Sequence, residues 1–283
     1  MHTVAAPGRW VWGLSGLVTI AALAIPGAFL ITYAGVSSPR DVAPQTAVTR
    51  TETVPQPVTG LILQSYGGPV QVTAGPVRRV KVTETITYIP GDAKPPAVTQ
   101  SVSGGRLTLT DPACEVSDCS VGFTVTVPPD VAVTAASQGG PVVVSGVAGA
   151  NVESGGGAVS ATRIDGPLTV TSEGGPLLVN GLTGRLNADT GGGALIAQDI
   201  TATTVTVVTG GGEARIVFAA APDTVVVSTD GGPAMLGLPG GPYALTADSS
   251  GGPQVLGIPT EAAAHRSIMI STGGGPLQIE PTR

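Results

Sequence analysis

Charge is scarce in this chain of 283 residues. Only 11% are Asp, Glu, Lys or Arg, two of them lysine, and the net charge is −6. Without a basic face there is nothing to hold phosphates, so nucleic acid is excluded as a partner. Aromatic residues make up 3%, so the core must be thin and built from Val, Leu, Ile and Ala. Histidine occurs only at His2 and His265, and cysteine only at Cys114 and Cys119. A structural metal site needs about four clustered ligands, and neither histidine lies near the cysteines, so no metal and no cofactor is expected. The pair in "DPACEVSDCS" reads as a loop-closing disulfide made outside the cytoplasm. What is abundant is glycine, 42 residues, and proline, 25. Together they approach the level at which disorder is considered, but a hydrophobic content of 42% argues for a folded chain.

Charge is absent altogether between Arg9 and Arg40. Residues 10–34 are apolar and can cross a hydrocarbon core of about 30 Å as a helix. Trp10, Trp12 and Tyr33 stand where interfacial aromatics belong. The competing reading is a signal peptide cut after Ala22-Leu23-Ala24, which would leave "IPGAFLITY" exposed. The uncleaved helix predicts a cytoplasmic tail (1–9), a transmembrane helix (10–34), an extracellular linker (35–55) and an extracellular domain (56–283), with an irregular insertion at 78–132.

That domain repeats. Taking the last glycine of each cluster as anchor gives Gly68, Gly140, Gly157, Gly175, Gly193, Gly212, Gly232, Gly252 and Gly275, with spacings of 17 to 23 from Gly140 onward. The positions seven and five before the anchor, and four after it, are aliphatic in every copy. The position two after it is aliphatic except at Gln254. This period-2 alternation places two short strands with one buried face in each copy. Three before the anchor stand Ser65, Ser137, Ser154, Ser172, Thr190, Thr209, Thr229, Ser249 and Thr272. A hydroxyl beside a glycine turn can satisfy backbone groups that the turn leaves unpaired; stacked, the nine would form a ladder. The pattern predicts an all-β fold, a parallel β-solenoid of about nine two-strand coils. A meander of hairpins with Gly-Gly turns is the alternative.

Little here suggests catalysis. "DTGGGALIA" (189–197) has the glycines of a phosphate loop but no Lys or Ser/Thr after them, and it opens a strand. Nine equivalent hydroxyls suit a structural task, and a catalytic serine needs a nearby base. Glu153, Glu173, Asp189, Asp230 and Asp248 precede turns and read as solvated turn formers, with weak cation binding as the sharper reading. One outward column, three after the anchor, is unusually apolar. Val143, Leu178, Ile196, Met235 and Val255 there form a candidate partner surface.

The segment "CSVGFTVTVPPDVAVTAASQGGPVVVSGVAG", followed by "SGGGAVSAT" and "SEGGPLLVNG", resembles the bacterial putative-adhesin family, a β-strand-repeat domain of unknown function, over about residues 56–280. The resemblance implies a β-solenoid and no established reaction, and its actinobacterial members commonly carry one N-terminal anchor. The family's usual acidic residue after the turn is retained here only at Glu213. The expectation is a non-catalytic envelope protein at the cell membrane, acting as adhesin, scaffold or sensor toward an envelope protein or glycan. The alternative is an exported glycan-active enzyme or glycan-binding accessory on the same scaffold.

Overall fold

Strands form where Val, Ile, Leu and Thr alternate with polar residues, and they end at glycine on one side and at a variable loop on the other. In the computed structural model, residues 45–89, 97–111 and 119–282 are described. Those from Gln45 onward belong to one compact unit. The expected membrane segment, residues 10–34, and Cys114 lie outside the described residues. Among the described residues no helix is long and apolar enough to cross a membrane, and no cysteine is free.

Each copy contributes one strand to each of two facing sheets, of twelve and eleven strands. Within a sheet, neighbouring copies pair in parallel, which makes a coil stack and excludes the meander of hairpins. Numbered by position along the stack, coil 2 is Gly60–Ser65 with Val70–Ala74, and coil 3 is Ala132–Ser137 with Val142–Ser145. Coil 4 is Gly149–Ser154 with Val159–Ile164, and coil 5 is Leu168–Ser172 with Leu177–Leu182. Coil 6 is Leu186–Asp189 with Leu195–Ile200, coil 7 is Thr204–Val208 with Ala214–Phe218, and coil 8 is Thr224–Ser228 with Ala234–Leu238. The predicted columns are the observed register. Leu61, Val133, Ala150, Leu168, Leu186, Val205 and Val225 pair in succession, and all are buried.

Both ends of the stack depart from chain order. After coil 8 the chain first builds the outermost coil, coil 10 (Ala244–Asp248 with Gln254–Leu256). It then returns to fill the gap with coil 9 (Ser267–Ser271 with Leu277–Pro281). Val225 and Leu245 therefore both pair with Ile268, and Leu236 and Leu256 both pair with Ile279. Tandem stacking in sequence order is thus corrected for the last two copies. Gly240 and Gly241, which fit no column, lie in the crossing to coil 10. The step of 23 residues from Gly252 to Gly275, the longest from Gly140 onward, carries the return.

At the opposite end the 78–132 segment is less irregular than its sequence implies. Arg106–Thr110 and Ser120–Val127 make coil 1, paired in parallel with coil 2. Its corner has no anchor glycine, so the copy does not show as a repeat in the sequence, and the described residues form ten coils instead of about nine. Three antiparallel strands finish this end. Thr99–Ser103 pairs with Arg106–Thr110 across the Gly104-Gly105 turn, where both glycines have positive φ, 57° and 74°, as a tight hairpin requires. Lys81–Tyr88 pairs with Ser120–Val127, and Thr46–Thr53 with Lys81–Tyr88. The sheet therefore begins within residues that read as linker. Thr46–Thr53 is exposed on both faces, so it shows no apolar alternation to betray it.

Candidate functional site

The glycine corner is where sequence repetition is strictest. All nine predicted hydroxyls are buried. Each donates to the carbonyl oxygen of its own anchor glycine, three residues on: Ser65 at 3.3 Å, Ser137 at 2.9 Å, Ser154 at 2.8 Å, Ser172 at 3.2 Å, and Thr190 at 2.5 Å. Thr209, Ser249 and Thr272 do so at 2.6 Å each, and Thr229 bonds Gly232 in the same way. The hydroxyls stack but do not chain to one another; each closes its own corner. The anchor itself must be glycine because coils touch there. A Cβ on Gly140 would lie 2.0 Å from the Gly68 carbonyl oxygen, and one on Gly193 would lie 2.1 Å from that of Gly175.

The candidate partner surface is less continuous than its column. Along the twelve-stranded sheet the row reads Gln71, Val143, Ser160, Leu178, Ile196, Arg215, Met235, Gln278, Val255. Leu178 and Ile196 are direct neighbours. Ser160 and Arg215 bound that pair, and the reversed order of coils 9 and 10 puts Gln278 between Met235 and Val255. Leu178 is 48% and Val255 56% exposed, whereas Ile196 and Met235 are half-buried.

The turn acids fall on different coils. Asp189 Oδ1 accepts from the Gly191 amide at 3.2 Å, and Asp248 Oδ1 from the Ser250 amide at 2.8 Å. Both are local turn bonds. Among the described residues no three His, Cys, Asp or Glu side chains gather as metal ligands. His265 is exposed in the loop that leads back to coil 9.

Two features escaped the sequence. The first is Asp111, which continues the hydroxyl column into coil 1. It is 3% exposed, shares the Ser65 Oγ–H at 3.3 Å with the Gly68 carbonyl, and takes the Tyr66 amide on both oxygens at 3.1 and 3.2 Å. Burial raises its pKa, and the Tyr66 and Ser65 hydrogen bonds offset this only in part. The second is a groove of about 650 Å³ on the eleven-stranded sheet, running beside the glycine corner across coils 2 to 5. Its lining includes two small residues, Ala136 and Gly155, together with Tyr66, Gln138, Glu153 and Glu173. The residue two before the anchor lines the groove in each of these coils. In coils 6, 8, 9 and 10 the same position turns to positive φ, at Gly191, Asp230, Gly273 and Ser250. In coil 7, as in coil 4, the positive φ falls one residue later, at Gly211 and Gly156.

No protein-family model matches the chain, and no curated protein does. Solved structures do resemble it. One is described as a putative adhesin from Bacteroides fragilis NCTC 9343. It is 13% identical, with 84% of this chain and 97% of that chain covered and a TM-score of 0.49. A putative cell adhesion protein from Clostridium sporogenes ATCC 15579 is 12% identical, covering 84% and 100%, with a TM-score of 0.31. A putative lipid binding protein from Parabacteroides distasonis ATCC 8503 is 10% identical, covering 82% and 96%, with a TM-score of 0.41. All three TM-scores are below 0.5, and the functional reading rests on this chain's own residues.

Proposed function

We propose that this chain is a non-catalytic display module of the cell envelope, an adhesin, scaffold or sensor. In this reading residues 10–34 anchor it in the membrane, the β-solenoid stands outside the cell, and Cys114 and Cys119 close a loop as a disulfide. One observation carries the non-catalytic part. The nine repeated hydroxyls, the side chains that would serve as nucleophiles, are buried and each gives its proton to a corner carbonyl. The stack leaves its outward rows for binding. Leu178 and Ile196 are the proposed protein contact, and the corner groove favours a glycan-binding variant of the same reading.

The experiment is an epitope tag between Ala262 and Ala263, in an exposed stretch, in the full-length chain expressed in its own host. Antibody is expected to reach the tag on intact cells, the chain to stay in carbonate-washed membranes, and the cysteines to resist maleimide until reduced. Tag detection only after lysis would contradict the reading.

A further inference from the structure

The corner groove has a composition that selects among ligands. It contains two carboxylates, Glu153 and Glu173, and no lysine or arginine, which disfavours phosphate, sulfate and nucleic acid. Hydrogen-bonding groups interrupt its apolar surface, so it is a poor trough for a lipid chain or an apolar helix. It offers one 45% exposed aromatic ring, Tyr66, beside amide and carboxylate groups that can each hydrogen-bond a hydroxyl. A sugar ring needs this combination, an apolar C–H face to stack on the aromatic and a polar rim to pair.

The groove's period fits as well. Coils repeat every ~4.8 Å, close to the advance of one ring along an extended sugar chain. Successive rings would then meet successive rows of the sheet, and four coils hold about three rings. The groups are also set in place before any ligand arrives. The Asp111 carboxylate ties down the Tyr66 backbone amide. Thr110 Oγ1 donates to Gln64 Oε1 at 3.3 Å, which leaves the Gln64 amide nitrogen as a donor at the groove's end. Pre-set partners lower the ordering cost of binding.

We propose that the groove binds a neutral oligosaccharide, with Tyr66 as the stacking platform and Gln64, Gln138, Glu153 and Glu173 as hydroxyl partners. Asp111 acts through Tyr66 as a positioning residue. The proposal rests on the reading of the chain as a binding module.

The test is calorimetric titration of the full-length chain in detergent micelles with cellotriose, maltotriose and triacetylchitotriose. At least one trisaccharide is expected to bind with a Kd below about 1 mM, and Tyr66→Ala and Gln138→Ala are each expected to weaken it about tenfold or more. Tyr66→Phe is expected to keep most of the affinity. Met269→Ala, on the same sheet in coil 9, is expected to change nothing. All three positions lie on the surface, and unaltered thermal unfolding checks that each of the four variants folds. Failure of all three sugars to bind would overturn the proposal, as would binding that Tyr66→Ala and Gln138→Ala leave intact. Preferential binding of spermidine over all three sugars would also overturn it, by making the groove a cation site. The surface-tag experiment is independent of these titrations, so a surface-displayed chain that binds none of the sugars would reject the groove and leave the display reading standing.

Discussion

The corner hydroxyl and the anchor glycine do separate jobs, and single substitutions separate them. Thr190 is fully buried and satisfies the Gly193 carbonyl. Thr190→Val keeps the shape and removes the donor, which leaves that carbonyl unpaired, and is expected to destabilise by about 1–2 kcal/mol. Thr190→Ser restores the bond and is expected to recover most of the loss. Gly193→Ala instead drives a methyl into the Gly175 carbonyl. Backbone in the middle of a stack has little room to yield, so the expected loss is larger, about 3 kcal/mol or more. Denaturant unfolding of the three variants ranks them. Asp111 supplies the pH dependence. Its folded pKa lies above its ordinary value of 3.8 because burial disfavours the charged form. The folded state therefore holds the proton more tightly, and the stabilisation from that proton is present at low pH. It is lost as pH rises from about 3.8 through the raised pKa. Asp111→Asn is expected to flatten this fall in stability, measured by denaturant midpoints between pH 3 and 7. Glu84, also raised by burial, with Arg50 lowering and Glu52 raising it, should leave a residual slope of the same sign. A variant slope equal to that of the natural chain would contradict the assignment to Asp111.

At the scale of coils, the interior of the stack was fully legible. Three aliphatic columns and one hydroxyl column predict the register of coils 3 to 8 because stacking like on like is the way such a thin core closes. What was not legible follows from the same uniformity. Copies that share columns fit any neighbour, so the columns cannot say whether coil 8 meets the copy at Gly252 or the one at Gly275. The one hint was Gln254, the polar exception in its column. On the outermost coil it has no further coil to pack against, and its Nε2 donates to Ser249 Oγ at 2.9 Å. Asp111 is the matching exception at the other end. Coil 1 is not legible as a copy because Val121, not a glycine, lies against the corner of coil 2; a Cβ on Gly68 would lie 2.0 Å from the Val121 carbonyl oxygen. The groove was illegible for a different reason. Tyr66, Gln138 and Glu173 look like ordinary turn residues, and only the stacking of four similar corners makes a surface of them.

In the compact unit from Gln45 onward, a stack built from self-closing corners can change its outward rows without changing its fold. One such scaffold can thus carry an apolar pair on one sheet and a polar groove on the other. Its two ends differ. Antiparallel strands cover the coil 1 end, whereas coil 10 carries the exposed Val255 and Leu256. The corner-locked coils stack in an order that differs from their order in the chain, and paired cysteines test this. Met235 and Gln278 are register partners in adjacent coils, about 4.8 Å apart across a sheet and within the reach of a disulfide. Met235 and Val255 are two coils apart, near 10 Å on the same spacing and beyond that reach. Oxidising the full-length chain with Met235→Cys and Gln278→Cys is expected to give a cross-linked peptide by mass spectrometry, and Met235→Cys with Val255→Cys is not. The reverse result, a cross-link between 235 and 255 but not between 235 and 278, would show coils stacked in chain order and contradict the account.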